Sequence, residues 1–219
     1  MSDICVTARV ERLLLSTDGS EYSEGAVREA IKLAKRCSGK LLALSVIETN
    51  QELEAIAPQI SEKAEKTAFE NLKAIQARAT KEGVDCDILI REGEDSYKYI
   101  VGEAVKNKST MIIMGRRGRS GLNRLMMGSV TTRVIGHAPC NVLVVPKAAE
   151  LAFRNIAVAT DGSKYSAAAA AEAIGLAKQN KSALTGQSYA DLTALSISPC
   201  PVTCGRKINA KLCGVVAAA

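Results

Sequence analysis

At 219 residues, 47% of them hydrophobic, the chain can bury one large core, or one of ordinary size and part of another, and wholesale disorder is excluded. Aromatic residues make up only 3%, with no Trp, so the core must be aliphatic. The net charge of +6 comes from Lys and Arg interspersed with Asp and Glu, the pattern of solvated helix faces rather than of a polybasic nucleic-acid arm.

The opening "MSDICVTARVER" has no signal-peptide pattern, and no apolar run approaches the roughly 18 residues that span a bilayer. Seven cysteines, at 5, 37, 86, 140, 200, 204 and 213, form no disulfide framework. The expectation is a soluble, reduced, cytoplasmic protein without membrane partners.

In chain order, "RLLLST" reads as a buried strand, followed by Val27, Ile31 and Ala34 at helical spacing. "KLLALSVIE" is a second strand. Ile60, Ala64, Ala68, Leu72, Ile75 and Ala79 mark one face of a long helix, with Pro58 near its start and Gly83 past its end. "CDILIRE" is a third strand. The acidic pair Glu94 and Asp95 suits the start of a helix whose buried face is Tyr97, Ile100, Val101, Ala104 and Val105. "TMIIM" is a fourth strand, Ser129 to Gly136 a short helix, and "NVLVV" a fifth strand.

Strands that read as continuous apolar runs and alternate with helices imply a parallel sheet covered on both faces. The fold class is therefore α/β, a doubly wound five-stranded parallel sheet of order 3-2-1-4-5. Its ligand crevice lies where the strand order reverses, between strands one and four. Two stretches converge there: "STDGS", leaving strand one at Asp18, and "MGRRG", leaving strand four at Gly115.

"STDGSEYSEGAVREAIKLAK" (Ser16 to Lys35) aligns without gaps to "ATDGSKYSAAAAAEAIGLAK" (Ala159 to Lys178), with 13 of 20 positions identical. This predicts a first domain over 1–147, a linker over 148–153 and an incomplete second copy over 154–219. After Lys178 the periodicity fades, and that region is expected to be loosely packed. The second copy retains Asp161 but has no glycine loop, so it is assigned no site.

The loop spacing is Gly115-x2-Gly118-x9-Gly128-Ser129. Glycines let backbone amides approach an anion and tolerate positive φ. A helix opening at Gly128-Ser129 turns unpaired N–H groups toward the crevice, and the Ser129 and Thr131 hydroxyls add donors. Arg117 or Arg119 supplies charge. These are the parts of a phosphate cradle, although neither a Walker loop nor a dinucleotide fingerprint is present.

With this spacing the chain resembles the universal stress protein family, in its ATP-binding branch, over Val10 to Pro146. The resemblance implies an adenine nucleotide alpha hydrolase-like fold and a stress-response module that binds ATP, with Mg²⁺ held through the phosphates. It places Gly115, Gly118, Gly128 and Ser129 at the ribose and phosphates, beside the backbone of Val130 and Thr131. Asp18 falls near the adenine and ribose, Val46 lines the adenine pocket, and Met114 precedes the loop. It also implies a homodimer through the edge strand Asn141 to Val145.

Nothing in the loop positions a general base, so a binding module rather than a catalyst is expected, leaving room for slow ATP hydrolysis. The alternative is a related adenylating enzyme that releases pyrophosphate. Such enzymes carry an S-G-G-x-D-S loop after strand one, where this chain has "STDGSEYS". His137 is the only histidine, and Cys200, Cys204 and Cys213 lack zinc spacing, so no metal site is assigned. The arginines of the loop have too few aromatics around them for a nucleic-acid surface.

Overall fold

The computed structural model describes residues 10–49, 58–118 and 127–188. It divides into two compact units, and the division falls between Ala149 and Glu150.

In the first unit, five parallel strands lie in the order β3-β2-β1-β4-β5, as the apolar runs predict. They are β1 (Arg12–Ser16), β2 (Lys40–Glu48), β3 (Cys86–Gly93), β4 (Met111–Gly115) and β5 (Asn141–Val145). The central strand β1 pairs Leu14 with Leu42 on one side and with Ile112 on the other. Helices α1 (Glu24–Cys37), α2 (Pro58–Lys81), α3 (Ser96–Lys106) and α4 (Ser129–His137) connect the strands.

Side chains alternate across each strand, which sorts the core into two layers. Leu14, Leu44, Ile112 and Met114 meet Ile100 and Ala104 of α3 and Val134 of α4 on one face. Arg78 of α2 pairs with Glu24 of α1, and Glu82, just past α2, pairs with Lys35 of α1, each at 2.7 Å. On α2, Ala68, Leu72, Ile75 and Ala79 are buried, as their spacing predicts.

The face expected of α3 shifts. Val105 is 58% exposed, and Glu103 is buried in its stead. Arg91 of β3 reaches Glu103 at 2.8 Å, so an ion pair turns the polar residue inward. Cys86 and Cys140 are free thiols, with the Cys86 thiol pushed up to about 11 by burial and then by Asp87 and Asp85. Cys37 is disulfide-bonded, so the expectation of a uniformly reduced chain does not hold there.

The second unit contains β6 (Asn155–Thr160), α5 (Lys164–Asn180) and β7 (Ala183–Ser188), with β6 and β7 paired in parallel. Strand β7 lies beyond Lys178, in the region expected to be poorly ordered or loosely packed, and most of its side chains are exposed. Its sequence "ALTGQS" gives no apolar run, and backbone pairing from Asn155–Ala183 to Thr160–Ser188 holds it. Residues 189–219, with Cys200, Cys204 and Cys213, lie outside the described residues, as does Cys5.

No described helix is long and apolar enough to cross a membrane.

Candidate functional site at the strand-order reversal

Chain direction around β1 and β4 explains why a cavity opens here. From β1 the chain turns into α1 and runs to β2. From β4 it passes through the glycine loop into α4 and runs to β5. The two connections leave neighbouring strands toward opposite sides and open a crevice beyond their carboxyl ends.

The turn after β1 is held by its own side chains. The Thr17 hydroxyl accepts from the Gly19 N–H at 3.1 Å and shares a 2.8 Å hydrogen bond with the Ser23 hydroxyl. Asp18 Oδ1 accepts from the Ser20 N–H at 3.0 Å and from the Ser20 hydroxyl at 2.7 Å. Gly19 has φ +71°, and a Cβ there would fall 2.4 Å from Asn71 Nδ2. Thus the glycine demanding a left-handed backbone sits in this turn.

Of the two uses expected of the loop glycines, close approach and positive φ, the described ones show only the first. Neither Gly118 nor Gly128 has positive φ; Gly128 lies at −63°. Close approach is what constrains the loop. A Cβ on Gly118 would lie 3.0 Å from Asp18 Oδ2, and one on Gly115 would crowd the Tyr22 carbonyl at 3.1 Å. At Gly128 the nearest atom would be 3.4 Å away, ordinary contact. Gly121 and Arg119 lie outside the described residues.

Helix α4 begins at Gly128, whose N–H donates to the Arg116 carbonyl at 2.8 Å. Glycine offers no capping side chain, and the first-turn amides of Ser129, Val130 and Thr131 have no acceptor within the helix. The Thr131 hydroxyl is not among the free donors: it donates to the Gly115 carbonyl at 3.1 Å, and ties α4 to the end of β4.

Asp18, Val46, Met114, Gly115, Arg117, Gly118, Gly128, Ser129, Val130 and Thr131 all line one cavity of about 420 Å³. Sequence reasoning missed the far wall. Ser45, Ile47 and Glu48 of β2, Ala64 and Ala68 of α2, and Ser96 and Ile100 of α3 complete it. Their roles show only once strand register brings β2, α2 and α3 together. Glu48 accepts a 3.0 Å hydrogen bond from the Ser96 hydroxyl at this end.

Chemically the cavity is two-ended. One end carries amide donors, the positive end of a helix dipole and the Arg117 guanidinium. The other is lined by apolar side chains and small residues, with the Asp18 carboxylate beside the loop. An anionic group fits the first end and a flat apolar body the second. The described residues contain no cluster of three His, Cys, Asp or Glu side chains able to hold a metal ion.

A sequence model of the universal stress protein family matches residues 9–146. A universal stress protein of Methanocaldococcus jannaschii is 35% identical over 141 residues, covering 63% of this chain and 82% of that protein. Among solved structures, the universal stress protein UspA of Lactobacillus plantarum superposes with a TM-score of 0.58 at 25% identity, over 63% of this chain and 99% of its own. A universal stress protein of Archaeoglobus fulgidus shares the fold over 85% of this chain and 71% of its own, with a TM-score of 0.61 and 23% identity.

Proposed function

This chain belongs to the universal stress protein family, and on that footing we propose that its first unit is a stress-response module that binds ATP. The observation carrying this reading is the uncapped start of α4 facing a two-ended cavity. The amides of Ser129, Val130 and Thr131 suit phosphate oxygens, and Asp18 suits the hydroxyls of a ribose. The base lies against Val46, Ala64, Ala68 and Ile100. Mg²⁺ travels with the phosphates, bound by them and by water.

The module regulates rather than catalyses. Among the described residues, the carboxylates lining the cavity are Asp18 and Glu48. Asp18 is engaged with Ser20, and Glu48 with Ser96. Neither arrangement activates a water at a terminal phosphate. Strand β5 is an edge of the sheet and supports pairing with a second copy of the chain. Sedimentation of the full chain tests this, with a homodimer expected and a monomer at all concentrations contradicting it.

Mass spectrometry of the small molecules released when purified protein is denatured tests the binding reading. An adenine nucleotide in near-stoichiometric amount is expected. Protein that releases none and shows no heat on titration with ATP refutes it.

A further inference from the structure

The chain leaves β5 through Pro146–Ala149, the last residues of the first unit, and these are held against the start of α1. A Cβ on Gly25 would lie 2.3 Å from the Pro146 carbonyl oxygen and 3.0 Å from that of Lys147. Gly25 stands within α1 without a positive φ, where alanine is the better helix former, so the close approach is what requires glycine. Arg28 Nη2 donates to the Ala149 carbonyl at 2.5 Å. Its Nε donates at 3.2 Å to Glu29, a buried carboxylate that Lys32 also reaches at 3.0 Å. Lys147 forms an ion pair with Glu21 and lies 5.7 Å from the centre of the Tyr22 ring.

The repeat supplies an independent observation. In the second copy the counterparts of Glu21, Gly25, Arg28 and Lys32 are Lys164, Ala168, Ala171 and Gly175. In the first copy each of these four touches the Pro146–Ala149 segment or the carboxylate that orients Arg28. Glu29 is 1% exposed, whereas its counterpart Glu172 is exposed. The helix carries these residues in the copy where a segment lies on it.

The same stretch also walls the cavity. Ser23 lines it and shares the hydrogen bond with Thr17. The Tyr22 carbonyl is the nearest atom a Cβ on Gly115 would meet. Residues 21–28 are thus gripped by the end of β4 on one side and by the segment after β5 on the other.

We infer that Pro146–Ala149 is a latch on α1 whose hold is coupled to the filling of the cavity. A ligand seated against Thr17, Ser23 and Gly115 fixes the turn on which the latch closes, and the closed latch raises the affinity for that ligand by the same factor. The state of the cavity is thereby passed to the point where the chain leaves the first unit. That the ligand is a nucleotide rests on the function proposed above; the latch itself does not.

The experiment follows amide hydrogen exchange in the full chain, stripped of nucleotide or saturated with ATP, with Gly25→Ala, Arg28→Met and Ser23→Ala. The Ala149 N–H, which donates to the Pro146 carbonyl at 3.0 Å, reports the latch. ATP should slow its exchange about fivefold or more in the parent. Gly25→Ala favours the helix but displaces Pro146, and Arg28→Met keeps the side-chain length without its donors. Both should speed exchange at Ala149 and leave Leu14 and Ile112 in the sheet core at the parent rate. Neither residue lines the cavity, yet each should weaken ATP in calorimetry, up to the factor by which ATP slows exchange in the parent. Should Gly25→Ala fail to fold, Arg28→Met carries the test.

Fast exchange at Ala149 with the parent's affinity for ATP would make the segment a strap without coupling and overturn the inference, leaving the nucleotide reading intact. Unchanged exchange in Gly25→Ala and Arg28→Met would overturn the latch itself. If ATP gives no heat with the parent, the nucleotide reading falls and Ser23→Ala decides. That change loosens the cavity wall alone: faster exchange at Ala149 supports the link between wall and latch, and unchanged exchange overturns it.

Discussion

The turn Thr17-Asp18-Gly19-Ser20 in the first unit and the turn Thr160-Asp161-Gly162-Ser163 in the second are built alike. Gly19 and Gly162 have φ of +71° and +76°. The Gly162 N–H donates to the Thr160 hydroxyl at 3.2 Å, as the Gly19 N–H does to Thr17 at 3.1 Å. Asp161 Oδ1 accepts from the Ser163 N–H at 2.9 Å, as Asp18 Oδ1 does from Ser20 at 3.0 Å. Ser166 occupies the place of Ser23, within 3.1 Å of the Thr160 hydroxyl. The likeness continues to the helix ends, where Ser38 and Lys181 both take left-handed φ, at 49° and 53°.

What differs is the neighbour. Beside β1 lies β4, whose end delivers Gly115, Arg117 and Gly118 to the turn. Among the described residues β6 pairs only with β7. The shared turn is therefore a device for reversing from strand to helix. A site arises only where a second strand end brings donors to it. Asp161 shows the turn's own use of the carboxylate. The Ser163 backbone N–H, followed by the Ser163 and Ser166 hydroxyls, lowers its pKa from the ordinary 3.8 to about 2 although it is only half-buried.

The comparison is broken most sharply at the two turn glycines. Gly19→Ala forces a positive φ, worth about 1–2 kcal/mol, and also displaces Asn71. Chemical unfolding of the first unit should show a loss above about 2 kcal/mol. Gly162→Ala should cost about 1–2 kcal/mol for its positive φ. Equal losses would remove Asn71 from the account.

Next in size is the loop. Gly118→Val puts a branched side chain against Asp18 and should weaken ATP at least tenfold, about 1.4 kcal/mol, by calorimetry with the fold retained. Gly128→Ala meets only ordinary contacts at φ −63° and should weaken ATP less.

A smaller effect separates the two aspartates. Asp18→Ala should weaken ATP and AMP by the same factor, of order fivefold, or about 1 kcal/mol for a hydrogen bond to the shared ribose. Asp161→Ala should change neither affinity. Unequal factors for ATP and AMP would reverse the proposed orientation of the ligand.

The smallest expected effect is electrostatic. Asp161 should titrate near pH 2 by NMR. Because its folded-state pKa is depressed, the stabilisation it lends is present above the ordinary carboxylate pKa and fades as pH falls from about 4 through about 2. A midpoint near 3.8 would mean that the second turn does not hold its carboxylate as the hydrogen bonds indicate.

The sheet order was legible because it writes itself locally, as apolar runs ending in polar or glycine-rich turns, whereas Val46, Met114 and Val130 of the cavity lining came from the family resemblance. Glycine spacing alone does not separate close approach from backbone handedness: close approach governs the described loop glycines, and positive φ occurs at Gly19. The wall made by Glu48, Ala64, Ala68 and Ser96 is absent from any short motif; it exists through register between β2 and its helices. Val105 looked like a core residue until Arg91 claimed Glu103 for that face. Strand β7 carries too little apolar character to announce itself and depends on pairing with β6.

Calorimetric stoichiometry tests the central contrast most directly. With the full chain, ATP should bind at one site per chain, the site should vanish in Gly118→Val, and it should be untouched in Asp161→Ala. Two sites per chain, or a site that survives Gly118→Val and is lost in Asp161→Ala, would contradict the assignment of binding to the first unit.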